Sequence, residues 1–194
     1  MRHFVYFSST ATTSGKAISQ GDLMKAGRID IAIHSLIQGL YLSEDYRKDA
    51  KFHFVFYGMP DPPKHIEIQI SDELGMNKKD VAKIIQKALY KCKDEKKKEV
   101  LPGVFVEKKS FLNVIDDLAK EGKQIFILDK KGKDIRKISI KKDSVFIVGD
   151  HNGLPKKEVK RLKQITTPVS VGNKMYFASQ TIAVVNNELD YREI

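Results

Sequence analysis

The clearest chemical signal in the chain sits just beyond two aliphatic runs, QIFILD at 124–129 and SVFIVG at 144–149. Leu128 closes the first, and Gly149-Asp150-His151-Asn152-Gly153 follows the second. A strand that ends in glycine lets the main chain approach a flat ligand such as adenine, and the turn after it leaves backbone N–H and C=O groups to read the ligand's edge. The same five residues also make an ordinary sharp connection, and the sequence leaves both readings open. A metal held by Asp150 and His151 is disfavoured, because no third ligand stands at a recognisable spacing. A third run, Val169-Ser170-Val171-Gly172, precedes a loop and a helical pattern that puts Ile182, Val185 and Leu189 on one side.

The elements that would position these residues alternate. Residues 3–9, 51–58, 64–70, 103–107, 124–129 and 144–149 are short and rich in aromatic and β-branched types, as strands are. Ile29, Ala32, Ile33, Leu36, Ile37, Leu40 and Tyr41 form one apolar stripe and predict a helix over residues 28–42. Val81, Ile84, Ile85, Ala88 and Leu89 predict a second, and Ser110 caps a third that stops at Gly122. Strand–helix alternation predicts an α/β fold with a mainly parallel sheet, since parallel neighbours need helical crossovers. The nearly unbroken apolar runs at 124–129 and 144–149 predict interior strands. In such a sheet ligands bind beyond the carboxyl ends of the strands, where Leu128 and Gly149 stand. Residues 129–133 read as a turn, and 91–98 as a charged surface connection.

The length of 194 residues suits one domain, here 1–194, without a second. No apolar run approaches the roughly 20 residues of a membrane span. The start, MRHFVYFSS, reads as a strand rather than a signal peptide, so a cytoplasmic protein is expected. The single cysteine, Cys92, excludes an intramolecular disulfide and a zinc cluster of paired cysteines. Thirty-five Lys+Arg against twenty-five Asp+Glu give a formal charge of +10, which favours a polyanionic partner without choosing RNA. The lysine excess and the scarcity of Cys and Trp also suit a heat-adapted chain.

Taken in order, FIVGDHNGL, a basic helix, and VSVGNKMYFASQTIAVVNNELD closely resemble the ending of the archaeal tRNA pseudouridine-54 N1-methyltransferases, members of the knotted SPOUT class. AGRID, LSEDYRKD, YGMPDPP and PGVFV resemble earlier segments of that family, in order and at similar spacing, so nearly the whole chain is spanned. The resemblance implies a C-terminal trefoil knot within about 124–194, S-adenosylmethionine as cofactor, a homodimer, and the T-loop of tRNA as partner. It implies no metal. Carried over position by position, the cofactor contacts would be Leu128, Gly149, Val169, Ser170, Val171, Gly172 and Thr181 at the start of the last helix, mostly through backbone groups, with Leu128 and Val171 as apolar walls.

The target the resemblance implies, N1 of pseudouridine, carries a proton at neutral pH. A carboxylate or structured water must take or polarise that proton, and the nitrogen must be held in line with the methyl group. Asp30 or Asp49 is expected in that role, with Arg28 and Arg47 gripping the nucleotide. The same residues also suit a helix-end charge and a surface ion pair. The RNA surface would draw on Lys156, Lys157, Lys160, Arg161 and Lys163, with Arg28, Arg47 and Lys48. Three positions depart from the family pattern: His34 stands for an arginine, Met76-Asn77-Lys78-Lys79 for a Pro-Asp-Glu-Arg turn, and Thr181 for a cysteine. The first two alter charge on the RNA side, which keeps a ribosomal pseudouridine, or a basic RNA-binding module without turnover, as alternatives.

Overall fold

The computed structural model describes residues 1–19, 21–70 and 78–194. In chain order the elements are β1 (Arg2–Ser8), α1 (Gly15–Ser19), α2 (Ile29–Leu40), β2 (Ala50–Phe56), β3 (Lys64–Ile68), α3 (Lys78–Lys91), β4 (Lys98–Leu101), β5 (Val104–Glu107), α4 (Phe111–Lys120), β6 (Gln124–Asp134), a 3-10 turn (Ile135–Lys137), β7 (Ser144–Gly149), α5 (Lys156–Leu162), β8 (Thr167–Ser170) and α6 (Ala178–Tyr191). The strands form one sheet in the order β4-β5-β3-β2-β1-β7-β6-β8. From β2 through β8 all neighbours are parallel, while β3, β5 and β4 add an antiparallel wing. β6 and β7 are interior, as their apolar runs require.

Helices cover both faces. The stripe of α2, with Ile29, Ala32, Ile33, Leu36 and Leu40 buried, packs with α3 and α6 over Phe4, Tyr6, Phe52, Phe54 and Phe146. Each such side chain contributes about 1.5–3 kcal/mol on full burial. α2 lies close to the sheet because Gly39 has no side chain: a Cβ there would meet Phe52 at 2.7 Å. On the other face, Phe111, Val114, Ile115 and Leu118 of α4 and Leu162 of α5 cover Val5, Phe7, Val145 and Ile147. Ser110 starts α4 by accepting the Asn113 N–H. No helix among the described residues is long and apolar enough to cross a membrane.

Three expectations change. Residues 129–133 are not a turn: β6 runs on to Asp134, and both Leu128 and Lys133 register with Val169 of β8 across an irregularity. No local pattern signals this, because the polar stretch owes its extended form to β8 rather than to its own periodicity. β4 begins inside what reads as a charged connection and pairs with β5 as an exposed edge strand, where lysine is at home. Thr181 does not open α6 but stands one turn in, its N–H already bonded to the Phe177 carbonyl. Any contact it makes with a ligand is therefore through its side chain. Of the four departing residues at 76–79, Met76 and Asn77 lie outside the described residues.

Candidate active site

The carboxyl ends of β1, β7, β6 and β8 lie side by side, and a cleft of about 660 Å³ opens over them. That volume is within the roughly 300–1,000 Å³ of small-molecule sites. Leu128, Gly149, Val169, Ser170, Val171, Gly172 and Thr181 all line it. Strand order brings them together, since β7, β6 and β8 are consecutive in the sheet though separated by helices in sequence. Leu128 and Val171 offer half-buried aliphatic walls, and the Ser170 hydroxyl holds the strand end by donating to the Gly172 carbonyl at 2.8 Å and accepting its N–H at 3.2 Å.

The glycine turn is tightly built. A Cβ on Gly149 would fall 2.5 Å from the Gly153 carbonyl carbon, so glycine is required by the turn itself as well as by any ligand. Gly153 takes φ +74° and donates its N–H to the Asp150 carbonyl at 2.9 Å. The buried Asp150 carboxylate accepts the Ser8 hydroxyl at 2.6 Å and the Asn152 N–H at 2.8 Å. It therefore joins the end of β1 to the end of β7. The sequence flagged Asp150 only as an improbable metal ligand; its structural partner lies 142 positions away, beyond any local pattern.

Arg28 and Asp30 stand at the amino end of α2, whose Ile31 also lines the cleft. Arg28 adopts a left-handed conformation, φ 63° and ψ 40°, uncommon for a residue with a side chain and often found at functional positions. Gly27 before it is also left-handed, and a Cβ there would strike the Thr10 carbonyl oxygen at 1.8 Å. The side chain of Arg28 grips Asp30 in both arms, Nε to Oδ1 and Nη2 to Oδ2 each at 3.0 Å. Burial pushes the Asp30 carboxyl up, but hydrogen bonding and charge from Arg28 outweigh it and hold the group below the usual carboxylate range.

Tyr6 lies below. Its hydroxyl is fully buried, finds no hydrogen-bond partner among the described residues, and is pushed up by burial first and then by the charges of Asp150 and Asp30. Burial and nearby negative charge keep this phenol neutral, and the sequence does not single it out because the ring reads as core.

Arg47 and Asp49 are elsewhere. Arg47 donates both arms to Asp190 at 2.6 Å, and Asp49 pairs with Arg2 at 3.1 Å. Arg2 opens β1 and Asp49 precedes β2, so this cluster sits at the amino ends of the strands, opposite the cleft. At about 3.3 Å per residue, the seven residues of β1 put some 20 Å between the two ends. Within one chain, the four expected catalytic residues thus fall into two groups. Of the expected RNA surface, Lys156, Lys157, Lys160, Arg161 and Lys163 are exposed on or just after α5, and Lys156 reaches the cleft rim.

A family model described as "Putative SAM-dependent RNA methyltransferase" matches residues 1–194. The chain belongs to this family. It is 36% identical to the tRNA (pseudouridine(54)-N(1))-methyltransferase of Pyrococcus abyssi over 201 residues, 98% of each chain. It is 34% identical to the protein of the same name from Methanococcus aeolicus over 200 residues, again 98% of each. Among solved structures it resembles Archaeoglobus fulgidus Nep1 bound to S-adenosylhomocysteine, with a TM-score of 0.65 and 14% identity, covering 100% of this chain and 99% of that one. That last likeness speaks for the fold.

Proposed function

We propose that the protein methylates N1 of pseudouridine 54 in the tRNA T-loop, as a homodimer whose C-terminal part is knotted. The observation that carries this reading is the cleft over β6, β7 and β8, walled by Leu128 and Val171 and lined by Ile31 of α2, the helix whose amino end carries the Arg28–Asp30 pair. The site fits S-adenosylmethionine: aliphatic walls suit the adenine faces, and strand-end backbone suits its edge. When bound, the cofactor supplies an electrophilic methyl group on a sulfonium.

Asp30 is locked as a carboxylate, so it acts on the N1–H as a charged acceptor that polarises the bond. Its low proton affinity makes it a poor final resting place for the proton, which passes on to solvent. Arg28, fixed by Asp30, presents the remaining face of its guanidinium to the nucleotide. Arg47 and Asp49 hold the far end of the fold.

Exposed apolar groups at the cleft lip, Met175 at 83% and Phe177 at 75%, favour coverage by a second copy. The apolar stripe of α6 is spent in the chain's own core, so Ile182, Val185 and Leu189 are not interface material. The registration of Val169 with both Leu128 and Lys133, and the 2.4 Å between a Cβ on Gly132 and the Val169 N, support the knotted reading by holding β8 tight against residues 128–133. The test uses labelled S-adenosylmethionine with tRNA and rRNA transcripts, with and without prior pseudouridylation, and maps the methylated nucleoside. Label at pseudouridine 54 supports the proposal. Label on unmodified uridine, or only on rRNA, overturns the substrate; cofactor binding without transfer to any RNA leaves a binding module.

A further inference from the structure

On the face of the sheet opposite α2, a row of buried polar side chains crosses four strands. His3 Nδ1 lies 3.1 Å from His53 Nε2, His53 Nδ1 lies 3.0 Å from His65 Nε2, and His65 Nδ1 lies 3.0 Å or closer to Glu107, at 2.9 Å from Oε1. His53 faces Glu67 directly across the β2–β3 pair, and His65 is two residues from Glu67 on β3, so the three share one face. These residues take no part in the chemistry proposed above, and they cluster toward the amino end of β1, away from the cleft.

We infer that His53 Nδ1, His65 Nε2 and a carboxylate oxygen of Glu67 form a site for a zinc-like divalent cation. The three ligand atoms lie within 4.8 Å of one another. His53 Nδ1 is 3.0 Å from His65 Nε2 and 3.9 Å from Glu67 Oε2, close to the edges of about 3.3 Å that bonds of about 2.0–2.1 Å give a tetrahedron. The outer contacts are those of a metal site. Each ligating imidazole has its other nitrogen held, His65 by the Glu107 carboxylate and His53 by His3, which fixes ring orientation.

Donor counting along the row supplies a second geometric reason. The Glu107 carboxylate accepts from His65 Nδ1–H at 2.9 Å. With neutral rings, His65 Nε2 then accepts from His53 Nδ1–H, and His53 Nε2 accepts from His3 Nδ1–H. The row ends on a bare His3 Nε2, buried without a hydrogen bond among the described residues and 3.4 Å from the Asp143 carboxylate, so two acceptors face each other. A cation between His53 and His65 reverses this. His53 surrenders Nδ1 to the metal and carries its proton on Nε2, His3 moves its proton to Nε2, and Asp143 gains a donor. No histidine proton is lost in the exchange. Lys97, which contacts Glu67 at 2.7 Å, must swing away, and its side chain is 43% exposed.

The bound ion would staple β2 to β3 where the sheet turns from parallel to antiparallel. The test titrates Co²⁺ and Zn²⁺ into the chelator-treated full chain, reading visible Co²⁺ absorption and thermal unfolding. One equivalent should bind with the strong bands of low-coordinate Co²⁺, Zn²⁺ should displace it, and the midpoint should climb with free Zn²⁺. Glu67→Gln should weaken binding at least tenfold while the metal-free chain still folds, and Glu107→Gln should weaken it about 10–100-fold. Lys97→Ala should tighten it severalfold, an effect that a purely structural glutamate would not produce. His34→Asn and His151→Asn should leave it unchanged. No saturable binding, binding indifferent to Glu67→Gln, or binding abolished by His151→Asn overturns the site; so does a row whose imidazoles titrate with protons but take neither metal. His53→Asn is informative only if folded, and the Glu67 and Lys97 variants do not depend on it.

Discussion

Replacing Asp30 by Asn removes the carboxylate's charge and keeps its shape and one acceptor oxygen. In the wild type both oxygens are occupied by Arg28 at 3.0 Å, and the side chain is only 19% exposed, so the charge acts at short range in a poorly solvated place. A positioned acid–base group contributes about 10²–10⁴-fold, and the lower end applies here because Asn still accepts a hydrogen bond and the carboxylate is a weak base. The expected loss in kcat is about 10²-fold, or about 2.7 kcal/mol of transition-state stabilisation. Stability should fall by no more than about 0.3–1 kcal/mol, the worth of a negative charge at the start of α2. The assay is single-turnover methyl transfer to pseudouridylated T-arm RNA, paired with denaturant unfolding. The acid limb of the wild-type profile should lie below the ordinary aspartate range, because Arg28 holds Asp30 ionised there. Turnover within threefold of wild type, or an acid limb near neutrality, would refute the assignment.

Asp190→Asn should cost about 1–2 kcal/mol, less than the 3–5 of a fully buried pair, because Asp190 is 41% exposed and Arg2 keeps Asp49. Burial raises the Asp190 carboxyl, but Arg47 and Arg2 hold it below its usual value. Its contribution is therefore full above the unfolded-state value and lost as pH falls through the depressed folded one, so the gap between wild type and variant should close in acid. Gly27→Ala puts a Cβ 1.8 Å from the Thr10 carbonyl at a left-handed φ, and denaturation should show a loss of about 2–5 kcal/mol. Leu128→Glu should weaken S-adenosylmethionine at least tenfold by calorimetry without unfolding the chain, since Leu128 is a half-buried wall. Lys157, Lys160 and Lys163 changed together to Ala should flatten the salt dependence of tRNA affinity by a slope of about 2–3, with kcat at saturating RNA little changed.

How much of this was legible follows from where each signal is stored. The stripe of α2 and the apolar runs of β6 and β7 are local, so helix, strands and strand-end cleft could be read from spacing alone. Leu128 and Gly149 could be placed at strand ends from their runs, whereas their grouping with residues 169–172 came from the family resemblance, for which the strand order β7-β6-β8 gives the physical reason. The cross-chain pairs could not. Ser8–Asp150, Arg2–Asp190 and His3–His53–His65 join residues scattered over the sequence, and each histidine alone looks like a packed or solvated ring. The expected absence of a metal rested on the family resemblance and on the spacing of Asp150 and His151, whereas the histidine row is assembled by strand registration, which spacing does not reveal. Asp49 and Arg47 looked equivalent to Asp30 and Arg28 because both Arg–Asp pairs flank one helix. They lie at its opposite ends, and a helix is long enough to separate a cleft from an anchor.

That separation has a mechanical sense. α2 and α6 both run back from the carboxyl ends of strands, so they are parallel and direct their amino ends at the cleft, where Ile31 and Thr181 line it. Two helix amino ends favour negative charge, which suits the carboxylate of a methionine moiety and the anion developing on a deprotonated base. Such pre-aimed dipoles work only if the helices cannot rotate. Asn186 of α6 donates to the carbonyls of Gln38 and Gly39 at 2.8 and 3.2 Å, and Arg2 and Arg47 clamp Asp190 one turn later. The ion cluster at the far end therefore fixes the direction in which the near end points, and within one chain Arg2 and Arg47 act on the cleft through Asp190 of α6.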